Sequence, residues 1–137
     1  MIFIDTNIVS EALRKIPDPA VISWLIRHDA ELALSTIVIA EISFGIRKIH
    51  PDQRAARLES GLFEWRQRFA GRIFAVTESA ALAYGDIMGD AVRQGRPMSA
   101  PDGMIAAITS VNGGRLATRN LTDFASTGLD LISPWNG

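Results

Sequence analysis

Four carboxylates in this sequence could act together in metal-assisted chemistry: Asp5, Glu41, Asp102 and Asp123. Acidic groups gathered in one place raise one another's pKa values and repel, so such a cluster is stable when a divalent cation neutralises it. All-oxygen ligands select Mg²⁺ or Mn²⁺ over zinc, and the sequence has no cysteine that could compete. A bound ion of this kind would orient and deprotonate a water, polarise a phosphate and stabilise the leaving alkoxide. The set therefore predicts phosphoryl chemistry.

Three of these acids also have an ordinary structural explanation. Asp5 and Asp102 stand where a helix is expected to begin, and an acidic residue there satisfies unpaired backbone N–H groups. Ser99 and Asp102 have the spacing of a capping box, and Asn120 with Asp123 has the spacing of a capped turn. Taken one at a time, these three acids are weak evidence for a catalytic site.

Glu41 is harder to explain as a structural residue. Its helical neighbours three and four positions away are Ile37, Val38, Phe44 and Gly45, and no cation is adjacent to it in the sequence. An ionised carboxylate on an apolar helix face is costly unless it contacts a metal or a hydrogen-bond donor. Glu41 therefore favours a functional role, and the hypothesis of a site depends on all four acids meeting.

Short apolar runs alternate with longer helical segments, and this alternation must bring the acids together. It predicts right-handed crossovers and an α/β fold with a central parallel sheet of about five strands, covered by helices on both sides. Active sites of such sheets form beyond the carboxyl ends of the strands. The predicted strands are 2–4, 32–34, 73–76, 116–117 and 131–132, and the predicted helices are 6–14, 19–28, 37–49, 52–70, 78–94 and 102–111, with Asp18, Asp52 and Thr77 as N-caps and Gly113-Gly114 ending the last helix.

Composition indicates a single folded domain over residues 1–137. Hydrophobic residues make up 47% of the chain and charged residues 21%, near the globular average, which excludes a disordered or fibrous protein. The first residues lack a basic segment and reach an acid at Asp5, unlike a signal peptide. No apolar run approaches the roughly 18 residues of a membrane span. With no cysteine in the chain, we expect a cytoplasmic protein that does not enter a membrane.

Two other classes of phosphate chemistry fit the sequence less well. An aspartyl-phosphate phosphatase also has an Asp at the end of its first strand, but it needs a second Asp two residues later, where this chain has Asn7. A receiver module needs a phospho-accepting Asp at the end of its third strand, and the third predicted strand ends at Val76 and Thr77.

The residues around the four acids resemble a known family, the PIN-domain ribonucleases, and more narrowly the VapC toxins of the FitB-like branch. The resemblance covers nearly the whole chain, in order. It implies a three-layer α/β/α fold and metal-dependent endonuclease activity on RNA. The matching segments are IFIDTN at 2–7, STIVIAE at 35–41, Asp102 ahead of IAA at 105–107, and LATRN with DF at 116–124.

By position, the resemblance assigns roles to single residues. Asp5, Glu41, Asp102 and Asp123 correspond to the family's catalytic acidic quartet. Asp5 and Asp102 are expected to bind Mg²⁺ directly, with Mn²⁺ as a substitute, and Glu41 and Asp123 to be additional or water-mediated ligands. The family also has polar residues that support the quartet, and these correspond in this chain to Thr6, Asn7, Thr118 and Asn120.

The resemblance also implies partners. Toxins of this branch form homodimers and are neutralised by a small antitoxin whose C-terminal segment lies over the active-site groove. The N-terminal part of the antitoxin binds DNA and represses the shared operon, so the toxin contacts DNA only through it. Two alternatives stay open: a housekeeping PIN-type RNA-processing nuclease, and a non-catalytic RNA- or protein-binding module of the same fold. A module of the second kind would be expected to lack one of the acids.

The charge balance excludes a protein that coats nucleic acid through bulk positive charge. The formal net charge is −1, from 14 basic and 15 acidic residues, and setting the quartet aside leaves 14 against 11. Helical spacing between 52 and 70 places an apolar stripe beside a row of arginines, a pattern that is more often a core stripe flanked by solvated arginines than a surface that binds RNA or a partner. That stripe is Leu58, Leu62, Trp65 and Phe69. Three arginines, Arg93, Arg96 and Arg119, either receive phosphates or are solvated and capping residues.

Overall fold

Five short strands form one parallel sheet through the middle of the molecule. The computed structural model describes residues 1–136. The strands are β1 Ile2–Ile4, β2 Leu32–Ser35, β3 Ile73–Phe74, β4 Arg115–Ala117 and β5 Leu131–Ile132. Their order across the sheet is β3-β2-β1-β4-β5, and every neighbouring pair is parallel. The predicted α/β architecture with a central parallel sheet is therefore confirmed.

Six α-helices connect the strands in the predicted order. They are α1 Thr6–Ala12, α2 Pro19–His28, α3 Thr36–Ile49, α4 Gln53–Arg68, α5 Glu78–Arg93 and α6 Ala100–Val111. Single 3₁₀ turns occur at Asp29–Glu31, Ala125–Thr127 and Pro134–Asn136. No helix within residues 1–136 is long and apolar enough to cross a membrane.

Side-chain caps set the starts of the helices, as local sequence predicts. The carboxylates of Asp18 and Asp52 accept from the amides of Ala20 and Arg54, and Thr77 accepts from Ala80. Each cap of this kind contributes about 1 kcal/mol to stability. Helix α6 is predicted to begin at residue 102, but it begins at Ala100 because Ser99 is its N-cap. Past the other end of α6, Gly113 has a φ of +65°, which glycine adopts without strain.

The strand order places a crevice between the ends of β1 and β4. The chain runs from β1 to β2 to β3 toward one edge of the sheet, and then returns to β4 on the far side of β1. Because crossovers between parallel strands are right-handed, α1 to α4 cover one face of the sheet and α5 and α6 cover the other. Open sheets bind ligands where the strand order reverses in this way. The residues that follow β1 and β4 therefore lie at the position expected for a site.

Complete burial holds the central strand in place. Ile2, Phe3 and Ile4 are each 1% exposed, and the neighbouring strand residues Leu34 and Leu116 are equally buried. Burial of one such apolar side chain contributes about 1.5–3 kcal/mol. The residues at the carboxyl end of β1 are consequently attached to one of the most rigid parts of the fold.

The core stripe predicted on α4 and just beyond it is confirmed. Phe69 is fully buried, and Leu58, Leu62 and Trp65 pack against the core. The arginines beside the stripe make contacts within the fold. Arg72 donates to the backbone carbonyls of Asp29 and Leu32. Arg54 pairs with Asp52, Arg57 donates to the Leu13 carbonyl and Arg68 pairs with Asp29.

Candidate active site

Asp5 directly follows β1 and caps α1, so the structural explanation for this residue is correct. Its side chain is 3% exposed. One carboxylate oxygen, Oδ1, accepts from the Thr6 amide at 2.7 Å, and Oδ2 accepts from the Thr118 hydroxyl at 2.8 Å. Burial raises the pKa of Asp5 above 3.8, the hydrogen bonds from Thr118 and Thr6 oppose that rise, and the charge of Glu41 adds to it. Asp5 thus caps α1 and is also a buried carboxylate with a raised pKa.

Thr118 connects the end of β4 to the end of β1. Its side chain is fully buried. The hydroxyl donates to Asp5 and accepts from the amide of Asn120 at 3.0 Å. One hydroxyl therefore orients the Asp5 carboxylate and also holds the loop that follows β4.

Glu41 meets a donor rather than remaining an isolated charge on an apolar helix. It lies on α3, partly exposed, and its Oε1 accepts from the Thr6 hydroxyl at 2.5 Å. Thr6 is the first residue of α1, so this hydrogen bond links α1 to α3. Thr6 therefore contacts one acid through its side chain and Asp5 through its amide.

Asp102 lies in the first turn of α6, where its amide donates to the Ser99 hydroxyl at 3.3 Å. Ser99 is therefore the cap of α6 and forms one half of the predicted capping box, while no hydrogen bond from the Ser99 amide to the Asp102 carboxylate is found within residues 1–136. The pKa of Asp102 is raised from 3.8 to about 6, first by burial and then by the charge of Asp5, with smaller contributions from Glu41 and Asp123. The hydrogen bond with Ser99 opposes this rise. The charges of the three other acids thus all act on Asp102, and that of Asp5 acts most strongly.

Three of the four acids line one cavity of about 290 Å³ at the crevice. The polar residues predicted to support the site are in this wall, except for Thr118, which lies behind Asp5. Asp123 is exposed and is not in the wall, although its charge acts on Asp102. The lining residues are Asp5, Thr6, Asn7, Ser10, Glu41, Asp102 and Asn120.

Ser10 is the one wall residue that sequence reasoning missed. It follows Thr6 by four positions on α1, so the two side chains lie on one face of that helix. That spacing was the available signal, but serine is common on helix surfaces and carries little information alone. The cavity wall identifies it as part of the site.

The donor set fits a hard divalent cation held by few protein ligands. Carboxylate, hydroxyl and amide oxygens line the cavity, which suits Mg²⁺ or Mn²⁺. Within residues 1–136, no three His, Asp or Glu side chains converge closely enough to form a complete metal cage. Mg²⁺ commonly uses only one or two carboxylates and keeps several waters. Asp5 and Asp102, whose charges repel in the absence of a cation, have the properties of such a pair.

Two apolar cavities flank the acidic one, and Glu41 lies in the wall of all three. One, of about 380 Å³, lies between α1, α3 and α4 and has Ile42, Ile46 and Leu58 among its lining residues. The other, of about 500 Å³, lies between α3 and α6, beside Phe44 and Met104. The acids thus lie in the middle of a longer, largely apolar groove.

Comparison with known sequences finds similar proteins over nearly the whole chain. A model of the PIN domain matches residues 2–128. The chain is 36% identical over 137 residues to the VapC ribonuclease Y4jK of Sinorhizobium fredii, covering 98% of each protein. It is 33% identical over 141 residues to the toxin FitB of Neisseria gonorrhoeae, covering 99% of each.

Solved structures agree with the fold. The crystal structure of FitAcB from Neisseria gonorrhoeae superposes with a TM-score of 0.88 and 32% identity, covering all of both chains. VapBC2 from Rickettsia felis, solved bound to a DNA fragment from its promoter, superposes with a TM-score of 0.83 and 25% identity, covering 97% of this chain and 98% of that one.

Proposed function

This chain belongs to the PIN-domain family, and from that membership we propose that it is a Mg²⁺- or Mn²⁺-dependent endoribonuclease that acts as the toxin of a toxin–antitoxin pair. The observation that carries the proposal is the placement of Asp5, Glu41 and Asp102 around one cavity at the carboxyl ends of β1 and β4. The chemistry proposed is hydrolysis of an RNA phosphodiester bond.

Asp5 and Asp102 would hold the cation, with Glu41 and Asp123 as additional or water-mediated ligands. When bound, a divalent cation supplies charge that activates a water and stabilises the phosphate and the leaving oxygen. Burial is the larger cause of the raised pKa of Asp102 and repulsion by Asp5 the smaller, and a bound cation would offset both by stabilising the ionised carboxylate.

The protein's own contribution is to hold the carboxylates still. Asp5 accepts two hydrogen bonds, from Thr6 and Thr118, on the end of a buried strand. Glu41 is restrained by Thr6. Outer hydrogen bonds of this kind orient carboxylates for metal binding, so Thr6 and Thr118 are proposed as supporting residues, together with Asn7 and Asn120 in the cavity region.

A small antitoxin is the proposed protein partner. The apolar cavities on both sides of the acids offer a polypeptide segment a surface that it could cover together with the acids. The VapBC2 structure holds promoter DNA, which supports DNA contact through the complex. Homodimerisation and a cytoplasmic location stay predictions.

RNA cleavage by the purified protein tests the nuclease. We expect cutting of single-stranded RNA with Mg²⁺ or Mn²⁺, none in excess EDTA, and none by Asp5→Asn or Asp102→Asn protein that melts cooperatively. Asp130→Asn is the matched control, because Asp130 is an exposed acid paired with Arg115 away from the cavity, and it should cut normally. Full activity in excess EDTA, or wild-type activity in both site variants, would falsify the metal-dependent mechanism.

A further inference from the structure

Arg119 is an exposed arginine whose backbone lies beside the acidic cavity, and among residues 1–136 no carboxylate forms an ion pair with it. The arginine–carboxylate pairs found in residues 1–136 involve other arginines. The guanidinium of Arg119 instead lies over the ring of Trp135, with Cζ at 4.9 Å from the ring centroid. Its positive charge therefore remains available to a ligand.

The backbone of Arg119 is held by the site itself. Its amide donates to Oδ1 of Asn7 at 3.4 Å, and Asn7 lines the acidic cavity. On either side of it, Thr118 bonds to Asp5 and Asn120 lies in the cavity wall. The Arg119 backbone is therefore at the rim of the crevice, and Trp135 restrains the direction in which its side chain extends.

Stacking leaves the hydrogen-bonding edge of a guanidinium available. A cation over an aromatic face gains about 0.5–1 kcal/mol at an exposed site. The N–H groups lie in the guanidinium plane, where they can bind two oxygens of one phosphate. A restrained arginine of this kind loses less side-chain freedom on binding than a mobile lysine would.

An RNA substrate needs such a group at this rim. The cavity gathers negative charge, and the RNA phosphates that flank the cleaved bond are repelled by it. A cation carried at the rim, outside the cavity wall, would lower this repulsion without occupying the place of a metal between the acids.

We propose that Arg119 binds a backbone phosphate of the RNA substrate next to the one that is cleaved, with Trp135 holding the guanidinium in position. This inference rests on the ribonuclease function proposed above. Because a phosphate contact carries no base information, it strengthens binding to all RNA sequences alike. Arg119 is a substrate-binding residue in this proposal, and Trp135 is a positioning residue.

RNA binding by inactive protein tests this directly. In the Asp5→Asn background, a fluorescein-labelled single-stranded RNA of randomised sequence is titrated with protein, and anisotropy is followed at several salt concentrations. We expect Arg119→Ala to bind about tenfold more weakly, as loss of a charged hydrogen bond predicts. The plot of log affinity against log salt has a negative slope, and its magnitude should decrease by about 0.7, the value for one phosphate contact on a single strand. Arg119→Lys should retain the slope and part of the affinity.

Arg115→Ala is the matched control. Arg115 begins β4, at the opposite end of the strand from Thr118, and its guanidinium pairs with Asp130. It is 50% exposed, so its removal changes the net charge equally without touching the site. We expect its RNA affinity and salt slope to match those of the parent protein.

Trp135→Leu separates positioning from folding. It should weaken RNA binding less than Arg119→Ala does, and the double variant should bind no more weakly than Arg119→Ala alone. Melting temperatures measured in parallel report any structural loss. A fall in melting temperature with unchanged RNA affinity for Arg119→Ala would show that the Arg119–Trp135 contact serves only the fold, and it would overturn the proposal.

Cleavage assays distinguish failure of this inference from failure of the nuclease function. In otherwise wild-type protein, Arg119→Ala should raise KM for RNA about tenfold with little change in kcat. If the wild-type protein cuts RNA and Arg119→Ala has the same KM and affinity, only the role of Arg119 is lost. If the wild-type protein neither binds nor cuts RNA, both proposals fall.

Discussion

The hydroxyl of Thr118 donates to the buried carboxylate of Asp5, from Oγ1 to Oδ2 at 2.8 Å, although 113 positions separate the two residues in the chain. The contact joins the ends of β1 and β4, which pair directly in the sheet. It restrains an acid that burial would otherwise favour in its protonated form. The geometry of the site therefore depends on a neutral, fully buried side chain.

Replacing Thr118 with Val should lower RNA cleavage about 10- to 100-fold, the range found when an outer partner of a metal ligand is lost. Val keeps the shape of Thr but leaves Oδ2 of Asp5 and the Asn120 amide without their partner. A buried polar group without a partner costs about 1–3 kcal/mol in the free energy of unfolding. Cleavage rates and urea unfolding measure the two effects.

Thr118→Ser is the control for that change, because it keeps the hydroxyl and removes one methyl group. It should retain most of the activity. Equal activity in Thr118→Val and wild-type protein would show that the hydrogen bond to Asp5 does not support the site.

The stability of the cation-free protein should fall with rising pH through the pKa of Asp102. That pKa is about 6 in the folded protein, chiefly because of burial, against 3.8 for the ordinary carboxyl. The folded state therefore binds this proton more tightly than the unfolded state does. The contribution of Asp102 to stability is fully present below about pH 3.8 and is lost as pH rises through about 6. Asp102→Asn protein should lack this loss.

Urea unfolding of both proteins in chelator, across this pH range, gives the comparison. Above pH 6, the variant should be more stable relative to wild type than it is in acid. Asp52→Asn is a control in which the pH dependence of stability should change in the opposite direction, because hydrogen bonding to Arg54 lowers the pKa of Asp52. A parallel pH dependence in wild-type and Asp102→Asn protein would contradict the prediction.

Mg²⁺ or Mn²⁺ should raise the melting temperature of the wild-type protein. A ligand at about 100 times its Kd adds about 2.7 kcal/mol to the free energy of unfolding. The increase should be larger above pH 6 than below it, because protonated Asp102 cannot bind the cation. Differential scanning fluorimetry with and without the cation measures it.

The protein with Asp5→Asn and Asp102→Asn together is the control for cation binding. Its melting temperature should not change with Mg²⁺. An equal increase in this protein would place the cation elsewhere on the molecule.

Expression of the wild-type chain alone should slow bacterial growth, and Asp5→Asn should remove the effect at equal protein level, because the harm requires RNA cleavage. Co-expression of a small protein encoded by the adjacent gene should restore growth. Growth curves over a range of inducer concentrations measure this. If wild-type and Asp5→Asn chains prove equally harmless throughout, the toxin role is wrong, and an RNA-processing nuclease is the better interpretation.

Local signals were enough to predict the elements of this protein. Apolar runs of two to four residues indicated buried strands, and the caps at Asp18, Asp52 and Thr77 are as predicted because each involves an amide two or three positions away. Boundaries were less accurate. Helix α1 ends at Ala12 instead of residue 14, and β3 stops at Phe74 instead of residue 76, since neighbours in space decide where pairing ends.

The sequence by itself determined which residue types could form the site: four acids, of which three follow a predicted strand or begin a predicted helix and Glu41 lies one turn into a predicted helix. Only the tertiary structure decided their arrangement. The bonds from Thr118 to Asp5 and from Thr6 to Glu41 depend on strand order and helix packing, and so does the exposure of Asp123 outside the cavity wall. Such contacts join residues far apart in the chain, and their distances follow from how the whole sheet packs. Local spacing carries no information about them.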